Sequence, residues 1–363
     1  MLFEILLPTI LCLNHFASSE IIIGTWSGDF KKAVQAGGDV LSRGGSSLDA
    51  VETACRTCEE LQCERTVGYG GSPDEHGETT LDAIIIDGTT MNMGAVAGLR
   101  RVKNVIGVAR KVLDNTKHSM LAGDLATQFA TSMGFPEEPL STRESKRKWN
   151  TWHDSNCQPN FWINVKPDPK TSCGPYKARN FLERFNMKDA NEDIGNHNHD
   201  TIGVVAIDGK GNMAAGTSTN GANHKIGGRV GDSPLPGAGA YAVTGVGGAA
   251  ATGDGDIMLR FLPSFLTVEL LRSGHTVQEA VQTSVGRIAQ HYPNFSGAVI
   301  GISQQGEYAA ACHGMREFPY NVAKRTESGE WQVIEHRVDW DTGRARGGIE
   351  HREDWGGRSY KQS

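Results

Sequence analysis

The sequence has no long run of Lys and Arg, and acidic residues outnumber basic ones by 42 to 36, for a net charge of −6. Proteins that bind nucleic acids usually carry a clustered basic excess, so we expect no nucleic-acid partner. Proline is scarce, at 13 of 363 residues, which excludes the composition of disordered and collagen-like chains. No apolar run reaches the roughly 20 residues that a membrane-spanning helix needs, so we expect no membrane partner.

The first 19 residues differ from the rest of the chain. Positions 2 to 13 are mostly apolar, and small residues follow at Ala17, Ser18 and Ser19. This order is typical of a signal peptide for the secretory pathway, cleaved near Ser19, although no Lys or Arg precedes the apolar stretch. A buried N-terminal strand or an anchor is the alternative. On the secretory route Asn294, in the only Asn-x-Ser/Thr sequence of the chain, is the candidate glycosylation site.

Four of the seven cysteines form two pairs that are close in sequence. Cys58 and Cys63 are five residues apart around a polar turn, and Cys157 and Cys173 bracket a loop rich in Pro and Asn. Such spacings suit local disulfides in an oxidising compartment. Cys55 lies one helical turn before Cys58, so we expect it to face a core as a free thiol.

Patterns that could hold a metal or a cofactor are incomplete, and we expect neither. A zinc site built on Cys55, Cys58 and Cys63 lacks a fourth ligand, and so do the histidines at 197 and 199 beside Asp200. The segment 254–256 lacks most of a calcium loop and is better suited to capping a helix. The glycines at 237–242 match a dinucleotide pattern but follow no predicted strand. Cys312 ends an apolar strand and has no obvious partner.

Strand hairpins alternate with pairs of helices along the sequence. This order predicts an α+β protein in which two stacked sheets are covered by helices, a four-layer αββα sandwich. Apolar periodicity fades from 134 to 200, and the tail after Arg316, which is rich in charge and glycine, predicts no regular element. Strands are predicted at 21–23, 81–86, 91–99, 201–208, 213–220, 241–243, 297–302 and 308–312, and helices at 30–41, 46–61, 102–113, 123–133, 256–272 and 277–291.

Glycine is abundant, at 45 residues, and 15 of the 55 positions from 201 to 255 are glycine. That share is roughly twice the chain average. Glycine permits both tight turns and close approach of backbone to a ligand. The distribution therefore predicts tight hairpins and backbone that approaches a ligand closely.

The turn at 208–212 joins two predicted strands into a hairpin. With the turn centred between Lys210 and Gly211, opposing positions sum to 421, so Ile202 faces Thr219, with an error of about one residue. Thr201 then lies beside the hydroxyl-rich end of the second strand. A cross-strand ladder of Thr and Ser side chains is the ordinary explanation of such a cluster.

Neighbouring segments favour a functional explanation of the cluster. The sequence resembles the glycosylasparaginase (aspartylglucosaminidase) family of N-terminal-nucleophile hydrolases, from about residue 22 to about 312. The matching segments are long and ordered. They are Gly70–Glu75, Gly77–Ala83, His199–Gly203, Gly216–Gly221, Gly228–Pro234 and Ala251–Gly253.

The resemblance implies that the precursor cuts its own bond between Asp200 and Thr201. A signal peptide at 1–19 would then precede an α-chain, 20–200, and a β-chain, 201–363, of one catalytic domain. Cleavage frees an α-amine on Thr201 with a pKa of about 7.7–8.0, suited to act as general base for its own hydroxyl. The resemblance also implies a dimer of cleaved αβ heterodimers and no cofactor.

Further roles follow from the resemblance and from the groups of an aspartyl amide. A guanidinium suits the substrate carboxylate and a carboxylate suits its ammonium, which points to Arg229 and Asp232. An ion pair within a surface loop is the ordinary alternative for these two. By resemblance the remaining site residues are Thr252 and Gly253 as the oxyanion hole, Thr219 orienting Thr201, Trp26 as a pocket wall, Ser72 as support, and Gly231 and Gly255 in substrate binding.

The function implied is hydrolysis of the bond between asparagine and N-acetylglucosamine in glycoprotein degradation, in a lysosomal or secreted enzyme. A plant-type L-asparaginase or isoaspartyl peptidase is the nearest alternative. In those relatives the second strand typically ends Ser-Thr-Gly-Gly, whereas this chain has Ser218-Thr219-Asn220-Gly221. A non-catalytic secreted relative is the third hypothesis. The presence of all four of Asp200, Thr201, Arg229 and Thr252 argues against it.

Overall fold

The computed structural model describes residues 20–179, 201–326 and 328–339, together with the backbone of 345–347. The expected signal peptide and Asp200 lie outside the described residues. Within them the chain is a mixture of helices and strands, as the sequence predicts.

The largest element is a mixed sheet of nine strands. In chain order these are β1 (Ile21–Thr25), β2 (Leu81–Asp87), β3 (Met93–Leu99), β4 (Met120–Ala122), β7 (Ile202–Ile207), β8 (Met213–Thr219), β13 (Glu317–Arg325), β14 (Trp331–Asp339) and β15 (Ala345–Gly347). The spatial order is β15-β14-β13-β1-β7-β8-β2-β3-β4. Only β3 and β4 pair in parallel; the other neighbours are antiparallel. Strands β7 and β8 are therefore interior strands.

A second sheet has four strands in the order β12-β11-β10-β9. They are β9 (Ala240–Val243), β10 (Gly247–Gly253), β11 (Gly297–Ser303) and β12 (Tyr308–His313), and a short hairpin joins β5 (Val165–Lys166) to β6 (Lys177–Ala178). Among the residues that the structure describes, the α-helices are α1 (Asp29–Ser42), α2 (Ser47–Leu61), α3 (Val105–Asn115), α4 (Gly123–Ser132), α5 (Arg143–Asp154), α6 (Gly255–Met258), α7 (Pro263–Arg272) and α8 (Val277–His291). In the described ranges, none of the helices is long and apolar enough to cross a membrane.

Three apolar cores hold these elements together. One joins α1, α2 and α3 to a face of the large sheet. The second lies between the two sheets, and the third joins the small sheet to α7 and α8. Since side chains alternate across a strand, β1 serves two cores: Ile22 faces the helices, whereas Ile21 and Ile23 face the small sheet.

The β7–β8 hairpin is shifted by one residue from the predicted register. Ile202 lies opposite Ser218, so opposing positions sum to 420. The Asp208 N–H donates to the Asn212 carbonyl, which leaves a three-residue loop with Gly211 at a φ of 80°. Such loops place glycine in the left-handed region. The shift stays within the stated error, and Thr201 still precedes a strand paired with β8.

Helix α5 was missed in the segment that lacks apolar periodicity. It buries only Ser145 and Trp152, so its sequence carries almost no apolar stripe. A capping box fixes its start instead: the Thr142 hydroxyl accepts from the Ser145 N–H, and the Ser145 hydroxyl accepts from the Thr142 N–H.

The helix expected at 256–272 is broken into α6 and α7. Leu262 has a left-handed φ of 51°, and Pro263 then opens α7. Proline suits the first turn of a helix because it has no N–H to leave unpaired. The break separates the short α6, which follows the glycine-rich end of β10, from the helix that packs on the small sheet.

The described part of the tail after Arg316 belongs to the large sheet. Strand β13 pairs with β1 on the side opposite β7. Its alternating residues Phe318, Tyr320 and Val322 are buried between the two sheets. The alternation of apolar and polar residues that is typical of a strand is present in the sequence of β13, but the charged residues and glycines around it obscured this alternation.

Both predicted disulfides are present, Cys58–Cys63 and Cys157–Cys173. Cys55 is a buried free thiol, as expected, and Cys312 is another. The first disulfide lies at the end of α2, and the second ties the chain after α5 to the loop before β6. Closing the 16-residue separation is worth about 3 kcal/mol in a chain-entropy model.

Phe318 tests the role of β13. Its ring is fully buried and packs edge-on against Trp26, 5.1 Å between centroids. We expect Phe318→Ala to lower the free energy of unfolding by about 3–5 kcal/mol, because it leaves a cavity. Urea denaturation followed by circular dichroism measures the loss. Phe265→Ala, at a ring that is 41% exposed, is the matched control. Equal losses in the two variants would contradict a core position for β13.

Candidate active site

Thr201 lies buried directly before β7 and is held by residues from both sheets. Its carbonyl accepts a hydrogen bond from Thr25 Oγ1 of β1, 2.8 Å, and its N–H donates to Thr252 Oγ1 of β10, 3.0 Å. Its hydroxyl lies 3.2 Å from the Ser233 hydroxyl. The backbone and the side chain of Thr201 therefore each have a defined partner.

Thr201 opens onto a small pocket formed almost entirely by the glycine-rich region. Most of the predicted site residues meet in this pocket. Its lining residues are Thr201, Thr219, Gly221, Arg229, Gly231, Asp232, Ser233, Gly253 and Gly255. Ser233 was not singled out from the sequence, although it lies within the matching segment Gly228–Pro234.

The Arg229 guanidinium is oriented by an acid that the sequence did not assign to the site. Arg229 Nη2 donates to Asp256 Oδ2 at 2.9 Å, and Arg229 Nε donates to both carboxylate oxygens of Asp256, at 3.2 and 3.1 Å. The Arg229 side chain is only 14% exposed. The sequence predicts that the segment 254–256 caps a helix. Asp254 does so, because its side chain accepts from the Ile257 N–H at the start of α6. Asp256 instead binds Arg229.

Asp232 is a buried carboxylate with an unused acceptor. No described residue donates to its Oδ2. Burial raises the pKa of Asp232 to about 7, against the opposing effect of the nearby Arg229 charge. A buried acceptor without a donor is costly. A ligand ammonium in the pocket would relieve that cost.

Two glycines leave the space that these charged groups occupy. A Cβ at Gly255 would lie 2.7 Å from Asp232 Oδ1 and 3.1 Å from Arg229 Nη2. A Cβ at Gly231 would lie 2.9 Å from Arg229 Nη1. Any larger residue would therefore displace the guanidinium or the carboxylate, which explains how glycine contributes to a charged pocket.

Thr252 and Gly253 form the end of β10 beside Thr201. Thr252 Oγ1 also accepts from Trp26 Nε1 at 3.0 Å. Gly253 has a φ of 131°, and a Cβ there would lie 2.4 Å from the Gly297 Cα in β11. Trp26 itself has a left-handed φ of 65°, and its carbonyl accepts from Asn321 Nδ2. The indole thus reaches the site by way of Thr252.

Thr219 and Ser72 have different surroundings. Thr219 lines the pocket; its hydroxyl donates to the Thr66 carbonyl at 3.4 Å and accepts from the Gly221 N–H at 3.0 Å. Ser72 is fully buried, its hydroxyl has no partner among the described residues, and it is not among the lining residues. The predicted bond from Thr219 to Thr201, and the supporting role of Ser72, stay predictions.

A buried lysine behind the pocket was missed in the sequence. Lys225 is 1% exposed, and its Nζ donates to the Asn220 carbonyl at 2.7 Å. Burial lowers the pKa of Lys225 to about 8, and the charge of Asp82 opposes this shift. The only signal was an unpaired Lys in a glycine-rich stretch, which by itself indicates a surface position.

One group of potential metal ligands occurs in the described part of the chain: His153, Cys157 and Cys173. Both sulfurs belong to the second disulfide, so they are not thiolate ligands. The histidines at 197 and 199 lie outside the described residues.

Comparison of the sequence with known proteins shows the family to which the chain belongs. Residues 18–330 match the model of the asparaginase family. The chain is 53% identical over 338 residues to the N(4)-(β-N-acetylglucosaminyl)-L-asparaginase of Rattus norvegicus, covering 92% of this chain and 97% of the rat protein. It is 56% identical over 319 residues to the Mus musculus protein of the same name, covering 88% and 91%. The chain belongs to the asparaginase family, and the resemblance found in the sequence is confirmed.

Asp232 predicts a specific pH dependence of stability. The pKa of Asp232 is about 7 when folded and about 3.9 when unfolded, so stability is lost as pH rises from about 4 to about 7. In Asp232→Asn this loss is removed. We expect the unfolding free energy of the variant to match that of the wild type at pH 4 and to exceed it by up to about 4 kcal/mol at pH 8.

Urea denaturation at the two pH values measures the difference. Asp154→Asn, at a carboxylate that is 83% exposed, is the control for loss of a surface charge. The raised pKa of Asp232 would be contradicted if the unfolding free energies of Asp232→Asn and the wild type differed by the same amount at pH 4 and pH 8.

Proposed function

We propose that the chain is an amidohydrolase that cleaves the N4-(β-N-acetylglucosaminyl)-L-asparagine bond during glycoprotein breakdown. The names of the rat and mouse relatives support the substrate. The observation that carries the proposal is one pocket that contains a threonine hydroxyl, a guanidinium and a carboxylate, at Thr201, Arg229 and Asp232. These groups suit the three parts of an aspartyl amide: the acyl carbon, the carboxylate and the ammonium.

We propose that the enzyme is activated by cleavage of the Asp200–Thr201 bond. Thr201 Oγ1 attacks the carbonyl carbon of residue 200, and the scissile nitrogen takes a proton and becomes the α-amine of Thr201. Water then hydrolyses the ester, which restores the hydroxyl and leaves a carboxylate on Asp200. The hydrogen bonds of Thr201 to Thr25 and Thr252 support this step, because they hold the main chain in place.

In the processed enzyme, Arg229 binds the substrate carboxylate and Asp232 binds its ammonium. The freed α-amine accepts the proton of the Thr201 hydroxyl, which attacks the side-chain carbonyl. Thr252 Oγ1 and the Gly253 N–H stabilise the oxyanion. The glycosylamine leaves with a proton, and water hydrolyses the acyl-enzyme to release aspartate. Thr219, Trp26, Ser72, Gly231 and Gly255 complete the proposed site.

We propose that the fold is the four-layer αββα sandwich of N-terminal-nucleophile hydrolases. The cores on either side of each sheet support this arrangement. Residues 20–200 and 201–363 would be the two chains of one domain, because β1 pairs directly with β7 across the cleavage point. Assembly as a dimer of such heterodimers is part of the same proposal.

We propose a lysosomal or secreted location, reached through a signal peptide at 1–19. The two disulfides support an oxidising compartment on the route. Asn294 is exposed in the turn before β11, as a glycan acceptor needs to be.

A comparison of substrates tests the proposed specificity. Release of aspartate from N-acetylglucosaminyl-asparagine is measured beside release from L-asparagine and from β-aspartyl dipeptides. We expect the glycosylated substrate to give the highest kcat/KM. A preference for β-aspartyl dipeptides would favour an isoaspartyl peptidase, and no turnover of any substrate would favour a non-catalytic relative.

Thr201 provides the test of activation. We expect Thr201→Ala to remain one chain and to have no measurable turnover, because it lacks the attacking oxygen. Intact-mass analysis should resolve the wild type into chains of residues about 20–200 and 201–363. Thr201→Ser keeps a hydroxyl and should retain processing. A single stable chain in the wild type, or cleavage of Thr201→Ala, would contradict the mechanism.

Arg229 separates substrate binding from activation. We expect Arg229→Ala to be processed normally but to lose about 100-fold in kcat/KM, the typical value of a hydrogen-bonded charge pair. Arg260→Ala is the matched control, since Arg260 lies outside the pocket and bonds the Tyr292 hydroxyl. Equal loss of processing and turnover in Arg229→Ala would refute its proposed role.

A further inference from the structure

A second cavity lies beside α5, in the segment where the sequence showed no periodicity. Its volume is about 300 Å³, at the lower end of the range of small-molecule sites. Aromatic side chains dominate its walls. We call it the tryptophan cavity; it is lined by Glu75, His76, Trp149, Trp152, His153, Cys157, Asn160, Trp162, Cys173 and Tyr176.

The indole N–H groups of the tryptophan cavity are already bonded within the protein. Trp149 Nε1 donates to the Glu75 carbonyl at 3.0 Å, and Trp162 Nε1 donates to Glu75 Oε2 at 2.7 Å. Trp152 Nε1 donates to the Pro159 carbonyl at 2.6 Å. These bonds fix the rings, so the surface that they leave for a ligand is apolar.

Polar groups lie among these rings. Glu75 supplies a carboxylate that is 17% exposed, and its Oε1 lies 3.7 Å from His76 Nε2. The Asn160 amide is bonded within the protein: its Oδ1 accepts from the backbone N–H of Trp162, and its Nδ2 donates to the Pro169 carbonyl. An acidic side chain disfavours an anionic ligand. The lining therefore suits a neutral or cationic ligand that has both an apolar face and hydroxyl groups.

The arrangement of the rings favours a neutral ligand over a quaternary ammonium. Binding of such a cation needs several ring faces directed at one point. Here Trp162 packs against Tyr176, with centroids 5.1 Å apart, and Trp149 stacks on His153 at 5.0 Å. A pyranose instead needs one apolar ring surface for its C–H face and polar groups for its hydroxyls, which this cavity provides.

A short loop connects the tryptophan cavity to the catalytic pocket. Gly221 lines that pocket, and four residues later the Lys225 carbonyl accepts from the Glu75 N–H at 2.9 Å. The intervening His224 stacks on Trp152, with ring centroids 4.6 Å apart. Four residues of chain extend at most about 14 Å, which limits the separation of Gly221 in the catalytic pocket from Lys225, the residue bonded to Glu75.

We propose that the tryptophan cavity is a saccharide subsite, which binds a neutral sugar unit of the chain attached to the substrate asparagine. The assignment of that sugar chain rests on the proposed function. Binding of a free saccharide does not, because it requires no turnover. The cavity would add affinity for substrates with an extended glycan and none for bare asparagine.

Direct binding tests the subsite on the full protein. N,N′-diacetylchitobiose is the probe, titrated by isothermal calorimetry. We expect saturable binding to the wild type, weakened about tenfold or more in Trp162→Ala, which loses the ring surface. Trp162→Phe keeps an aromatic ring and should bind more tightly than Trp162→Ala. Trp331→Ala, in β14, is the matched control and should bind like the wild type.

Three binding results would overturn the proposal. They are absence of saturable binding to the wild type, equal affinity of Trp162→Ala and wild type, and binding of choline in place of the disaccharide. Circular dichroism of each variant verifies folding. If Trp162→Ala fails to fold, Glu75→Gln replaces it and should weaken binding by loss of the carboxylate.

Kinetics connects the cavity to turnover. We expect Trp162→Ala to lower kcat/KM for chitobiosyl-asparagine about tenfold, mostly by raising KM. The kcat/KM for L-asparagine should not change. Equal effects on both substrates would overturn the proposal. If the enzyme hydrolyses neither substrate yet binds the disaccharide at Trp162, the proposed function fails and the subsite stands.

Discussion

The position of Thr201 between two sheets is the constraint on which the site depends. Its carbonyl is bound by Thr25 in the large sheet and its N–H by Thr252 in the small sheet. This requires the two sheets to pack face to face at the start of β7, with β10 ending there. The core between the sheets fixes that packing, so residues far from the pocket, such as Phe318, support the site indirectly.

Charge burial is the energetic cost of this pocket. Asp232 is buried with one carboxylate oxygen unpaired among the described residues, and Lys225 behind it is also buried. The Asp256 carboxylate offsets part of the cost by holding Arg229. Glycines at 231 and 255 make room for the charged groups. Binding sites often cost stability in this way, because the ligand supplies the hydrogen-bond partner that the buried carboxylate lacks in the free protein.

The loop at 221–225 links two chemically different surfaces. On one side is the charged pocket that the proposed mechanism uses, and on the other the tryptophan cavity built around α5. The Cys157–Cys173 disulfide belongs to the walls of this cavity and ties α5 to the loop before β6. A segment with hardly any apolar periodicity is thus ordered by aromatic contacts and by a covalent bond.

The sequence by itself determined the family, most strands and helices, both disulfides and the threonine, arginine and aspartate that meet in the pocket. It did so because local periodicity, turn residues and long motifs are encoded in adjacent positions. Only the tertiary structure decided the partners of those residues: Ser233 beside Thr201, Asp256 on Arg229, the burial of Lys225, the place of β13 next to β1 and the cavity around α5. These depend on contacts between segments distant in sequence, and a single side chain carries no local signal of what will pack against it.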